Sequence, residues 1–180
     1  MVVLGSKVYV TGDARERALD GLRGLVNNRF GDLDVEFEIG HREDDFPVVT
    51  VSGPDEVVAR NVLREEFGEV VPSHEAGESY VGTLDSWDDD GFVLDAGPAG
   101  DVRIPAANLE LGQGSPAQIR KRFGLVQHLP LRFEFEEAME FGFECPECGT
   151  QLEAMENTRM VEAMEWRLDQ LRDELNLEAA

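Results

Sequence analysis

Lysine and cysteine are almost absent from this chain: Lys7, Lys121, Cys145 and Cys148 are the only such residues among its 180. Two cysteines three positions apart cannot staple a small secreted fold, and the N-terminus runs directly into a strand-like pattern. A disulfide framework is therefore excluded, and a soluble cytoplasmic protein is expected. No stretch approaches the ~20 apolar residues that cross a bilayer, which argues against a membrane partner. Also missing are a G-x-S-x-G turn, a phosphate-binding glycine loop and a convincing Ser/His or Cys/His nucleophile pair. The chain therefore reads as non-enzymatic.

Basic residues of any kind are scarce: 16 Lys and Arg face 38 Asp and Glu, for a formal net charge of −22. Such a balance ordinarily excludes nucleic acid, whose phosphates need clustered cations. Arginine in place of lysine and acid spread along the whole chain, however, form the pattern of a protein adapted to molar salt. There the Debye length shrinks to about 3 Å, so global charge repels a polyanion little and local basic clusters decide.

The pattern along the chain implies an α+β protein. Over residues 1–69 it reads β-α-β-β-α. Lys7–Thr11 is a strand, and Asp13 with Glu16 forms an acidic capping box for a helix whose stripe is Ala18, Leu22, Leu25 and Val26. Leu33, Val35, Phe37 and Ile39 alternate with acidic residues as a half-buried strand, and Val49 and Val51 belong to a third. Pro54 then opens a helix bearing Ala59, Val62, Leu63 and Phe67. The expected product is a small sandwich with two helices on one face of three strands.

Residues 70–78 read as a linker. Residues 79–135 have the spacing of a small S1/OB-like β-barrel, with strands at Tyr80–Leu84, Gly91–Ala96, Asp101–Ile104 and Leu131–Phe135. Ser115–Phe123 interrupts them as a short helix, Ser115 its cap and Pro116 in its first turn. Residues 136–156 hold the cysteine pair. Residues 157–180 read as a helix whose Val161, Met164, Leu168, Leu171 and Leu175 make a heptad seam for a partner helix, with a homodimer one way to bury it.

Cys145-Pro146-Glu147-Cys148-Gly149 is a zinc knuckle, in which proline and glycine set the tight turn that aims two thiolates at one metal. Tetrahedral zinc needs four ligands, so Cys145 and Cys148 are half of a site. Two chains sharing one zinc would complete it, zinc within one chain would need further ligands from other segments, and otherwise the pair is unmetallated.

Arg120-Lys121-Arg122 is the densest basic cluster. With Arg132 it is a candidate for phosphate contact, set against the solvated face of a short helix. Phe92, Trp87 and Tyr80 are candidates for base stacking on a barrel face, set against ordinary core. Asp88-Asp89-Asp90 lacks the spacing of a calcium loop and reads as an acidic hairpin turn.

Two resemblances follow. GDARERALDGLRGLVNN, PDEVVARNVLREEFGEV, YVGTLDSWDDDGFVLDAG and GSPAQIRKRFGLVQHLPLRF, all within residues 5–135, resemble an uncharacterised archaeal family common in haloarchaea. Inside that region Val81–Leu84, Gly91–Gly97 and Val102–Pro105 are similar to the opening of an S1-type RNA-binding barrel. EFEEAMEFGFECPECGTQLEAMENTRMVEAMEWRLDQLRDEL, residues 134–176, resembles the second half of the zinc ribbon and the C-terminal tail of archaeal transcription factor E, the counterpart of the large TFIIE subunit. That family's first C-x-x-C should precede Phe135, where this chain has Leu129-Pro130-Leu131-Arg132-Phe133.

The resemblances imply an accessory factor of archaeal transcription, with RNA polymerase, a transcription factor or promoter DNA as partner. The alternative is an RNA-binding module working through the barrel.

Overall fold

The computed structural model describes residues 1–136, 151–152 and 166–173, with backbone alone at 151–152. Calls that fall on Cys145, Cys148, Val161, Met164 and Leu175 therefore lie outside the described residues. Two units divide the chain: Met1–Glu69 with Asn157–Ala180, and Val70–Glu156.

In the first unit Val49 and Val51 alternate with Thr50 and Ser52, so strand β3 (Pro47–Ser52) buries one side and wets the other. A period of two does this to any strand packed on one face only. β3 is central in the order β1-β3-β2, pairing antiparallel with β1 (Val2–Val3) and β2 (Glu36–His41). Phe37 and Ile39 of β2 stand opposite Val51 and Val49, while Glu36 and Glu38 face outward. Helices α1 (Gly12–Phe30) and α2 (Glu56–Phe67) cover the dry face. Ala14, Ala18, Leu22 and Val26 of α1 and Ala59 and Leu63 of α2 join β1 and β3 in one core.

Three expectations change here. Lys7–Thr11 is not a strand. Val8 N–H donates to the Asp45 carbonyl (2.8 Å) and the Val10 carbonyl accepts from Arg15 Nε (2.8 Å), so these polar groups are met by a loop and a side chain instead of a ladder. Val8 and Val10 still bury, which explains the strand-like alternation, and the first strand falls instead at Val2–Val3. The α1 N-cap is Thr11, without a side-chain cap, in place of the Asp13–Glu16 box. Finally, α2 begins at Glu56 beyond Asp55, two residues after Pro54.

The second unit is a five-stranded antiparallel sheet in the order β6-β5-β4-β7-β8. Its strands are β4 (Ser79–Asp88), β5 (Gly91–Asp95), β6 (Asp101–Pro105), β7 (Pro130–Glu134) and β8 (Gln151–Leu152). The sheet curls into a half-barrel that brings β6 and β8 into contact. A register shift between Leu84 and Ser86 bends β4, as β-bulges do. Gly91 is needed where the β4–β5 turn meets β6: its φ is +151°, and a Cβ there would lie 2.0 Å from the Ile104 carbonyl oxygen. Leu84, Phe92, Leu94, Ile104 and Phe133 fill the interior, joined by Ile119 from helix α3 (Pro116–Phe123). Ser115 caps α3 as the sequence predicts, and Gln118 completes a capping box that the sequence reading did not name.

Residues 70–78 are strapped down. Gly77 N–H donates to Phe135 O (2.7 Å) and Phe135 N–H to Glu78 O (2.9 Å).

Candidate functional site

Three consecutive residues on a helix point about 100° apart, and α3 divides its basic tripeptide accordingly. Arg120 lies over the Trp87 ring, 4.4 Å from the centroid, and donates from Nη1 to Leu125 O at 3.1 Å. Arg122 turns back to the carbonyls of Leu111 and Gln113. Lys121 is exposed, and Arg132 on β7 is half-buried opposite Val81. One arginine therefore packs on the barrel, a second ties down a loop, and Lys121 presents its charge outward.

Phe92 is 0% exposed. Its partners across the sheet are Trp87 and Ile104, on the inner side. No ring face is open to a base, so stacking on Phe92 is corrected to core packing.

The acidic turn closes on itself. Asp88 Oδ1 accepts from the backbone N–H groups of Asp90 (2.9 Å) and Gly91 (3.1 Å), and both carboxylate oxygens accept from Arg103 Nη2 (2.7 and 2.9 Å). The Arg103 hydrogen bond, helped by the two amides against partial desolvation, holds the Asp88 carboxyl below the ordinary carboxylate range. Sequence reading places the acid here but not Arg103 as the clasp.

Among the described residues no group of three His, Cys, Asp or Glu side chains could hold a metal ion. Cys145 and Cys148 are outside that set, and the fit of zinc to them rests on ligand type alone: two thiolates suit zinc, but four donors are required.

A second aromatic cluster is absent from the sequence expectations. The His74 ring stands 4.6 Å from Tyr80, 5.4 Å from Phe133 and 5.2 Å from Phe135, while the Tyr80 hydroxyl accepts from Glu75 N–H at 2.9 Å. Burial against these rings pushes the His74 pKa down. The cluster fastens the 70–78 strap onto the barrel.

In the first unit residues 166–173 form a helix, α4, lying on α1. Trp166 Nε1–H donates to the Ala18 carbonyl at 3.1 Å, and its ring lies over Gly21, where a Cβ would just reach van der Waals contact with it (3.6 Å). The Arg167 guanidinium sits 4.0 Å from the Tyr9 ring centroid, and Arg17 Nε meets Asp173 Oδ2 at 2.9 Å. That hydrogen bond raises the already high pKa of Arg17. Trp166, Arg167 and Gln170 are buried, whereas Leu168 of the expected seam is 52% exposed and Leu171 half-buried. The buried side of α4 is thus turned away from the seam. Leu168 and Trp166 are two positions apart, about 200° around a helix.

Comparison with known proteins assigns this architecture. Residues 1–73 match the DUF2110 N-terminal domain and residues 74–145 the DUF2110 central domain. Residues 1–145 are DUF2110-family sequence.

Part of the chain is also similar to proteins named transcription factor E. Identity is 72% over 54 residues to the one from Haloarcula marismortui, covering 30% of this chain and 31% of the relative. It is 64% over 58 residues to that of Natronomonas pharaonis (32% and 33%), and 42% over 45 residues to that of Methanocaldococcus jannaschii (25% and 26%). The chain spans about a third of the length of the curated haloarchaeal relatives and about a quarter of the methanogen one.

The DUF2110 N-terminal domain therefore carries α1 and its docking face, and the central domain carries the α3 edge, the acidic turn and the His74 cluster. β8 and α4 lie beyond residue 145. No helix among the described residues is long and apolar enough to cross a membrane. Sequence reasoning missed Trp166 as an anchor because the heptad pattern drew attention to leucines. A tryptophan followed four residues later by Gln170 was the available signal.

Proposed function

We propose that this protein is a non-enzymatic accessory factor of archaeal transcription, acting through RNA polymerase, a partner factor or promoter DNA. The observation that carries this reading is the 54-residue stretch 72% identical to transcription factor E of Haloarcula marismortui. Retention of RNA polymerase subunits on tagged protein from extract in molar KCl is the expected result. Recovery of neither polymerase nor transcription factor E sinks the reading.

A second reading, RNA binding through an S1/OB-like barrel, is favoured by the strand order. Counting strands within the unit, the sheet runs third-second-first-fourth-fifth, α3 lies between the third and fourth, and the outer strands approach one another. A five-stranded OB barrel is arranged in this way. Against it, the outer surface of β5 and β6 carries Asp95 and Asp101, and Arg103 there is engaged by Asp88. Lys121→Glu with Arg132→Glu tests it: loss of RNA retention with polymerase contact intact would promote this reading, and unchanged RNA retention would remove it.

Self-association through the seam draws support from the exposure of Leu168. Sedimentation of Leu168→Glu decides it, since a dimer that persists in this variant is not held by the seam.

A further inference from the structure

The tail helix contributes one side chain, Trp166, to a core cluster otherwise supplied by residues 2–63. Its seat on α1 is built from parts of the DUF2110 N-terminal domain: the Ala18 carbonyl for the indole N–H, the bare surface of Gly21 for the ring, Tyr9 beneath Arg167 and Arg17 opposite Asp173. The occupant belongs to the segment that resembles transcription factor E.

We propose that this α1 face is a helix-docking seat that accepts in trans the tail helix of a transcription-factor-E-type chain, with residues 166–173 acting as a tethered competitor. The inference rests on the transcription-linked reading above and names its contact surface.

Two features favour exchange over permanent closure. The fit is incomplete: a cavity of about 250 Å³ remains beside Arg17, Gly21, Trp166 and Gln170. Gln170 is 2% exposed, yet neither its Oε1 nor its Nε2 has a hydrogen-bond partner. A buried amide with both ends unsatisfied weakens the docking that buries it. The anchors are also few: one indole, one stacked guanidinium and one ion pair that is half-exposed and screened by salt. Covalent attachment raises the effective concentration of the cis tail, so a free helix of the same chemistry binds only where the cis tail is weakened or outnumbered. The anchors Trp166, Arg167 and Asp173 specify that chemistry: an acidic amphipathic helix with Trp-Arg at one end and Asp seven residues after the Trp.

The test uses the full chain and a labelled synthetic peptide of residues 157–180, read by fluorescence anisotropy in molar KCl. Trp166→Ala should raise peptide affinity at least tenfold over wild type by vacating the seat. Gly21→Leu in that background should abolish the gain, because a side chain at position 21 occupies the Trp site while improving helix propensity in α1. Equal binding to wild type and Trp166→Ala, or a gain that survives Gly21→Leu, overturns the proposal. If Trp166→Ala loses its helical circular dichroism, Asp173→Arg replaces it, opposing two cations at Arg17 while keeping the indole.

Purified transcription factor E of Haloarcula marismortui should reproduce the same affinity order. Peptide binding without factor binding overturns the assigned occupant. A wild-type dimer dissolved by Gly21→Leu would give the seat to a second copy and overturn the proposal as well. Polymerase retained equally by wild type and Gly21→Leu, with the peptide gain absent, would remove the seat and leave the transcription reading standing.

Discussion

The Arg120 guanidinium lies 4.4 Å from the centroid of the Trp87 ring, so the first cation of the most basic tripeptide is committed to joining α3 to the barrel. A partly desolvated cation–π pair of this kind contributes about 1–2 kcal/mol, and the bond to Leu125 O adds to it. Arg120→Ala should therefore lower the stability of the second unit by roughly 1–3 kcal/mol. Lys121→Ala should change it by less than about 0.5 kcal/mol. Urea unfolding at fixed salt checks the pair, and equal effects would show that the stacking has no energetic role.

The same residues show how far sequence carries. Ser115 and Pro116 announce the start of α3 because capping is local chemistry, and the start is where they place it. The barrel strands are legible for the same reason: alternation between Val81, Leu84, Leu94 and Ile104 and turn residues is written within each segment. The inward turn of Phe92 depends on a bulge between Leu84 and Ser86 and on the approach of Gly91 to Ile104, and both are tertiary. Lys7–Thr11 misleads because burial alternates there without a partner ladder. Trp166 is similar, since its seat is formed by Ala18 and Gly21, about 145 positions earlier, and no local pattern announces that contact.

Asp88 gives the acid limb of stability a local cause. Its folded-state pKa is depressed, so its contribution is present above the ordinary carboxylate pKa and lost as pH falls through the folded value. Asp88→Asn should flatten the dependence of the second unit's unfolding midpoint on pH below about 4. A wild-type and variant that lose stability in parallel on acidification would contradict this.

His74 acts in the opposite sense. Burial lowers its pKa from 6.5, so the unfolded chain takes up a proton first as pH falls. Stability is then complete above pH 6.5 and declines from there down to the folded pKa, below which the loss is constant. His74→Phe keeps an aromatic face toward Tyr80, Phe133 and Phe135 and removes the titration. Denaturation between pH 5 and 8 should show a slope in wild type and none in the variant, and identical slopes would assign the titration elsewhere.

Gln170 offers a stabilising substitution. Both ends of its buried amide are unpartnered, so Gln170→Leu, of similar size, should raise the melting free energy of the first unit by about 1 kcal/mol. A fall of that size instead would mean the amide is satisfied in solution.

Strand β8 and helix α4 come from the far end of the chain, yet one belongs to the curled sheet and the other to the three-stranded unit. The molecule is laced, not strung. A gene fragment stopping at Glu69 would encode the first unit without its Trp166 plug, and one stopping at Phe135 would leave the second sheet short of its last strand. Each of the two units thus draws one element from the C-terminal segment, so trimming that segment should be felt in both.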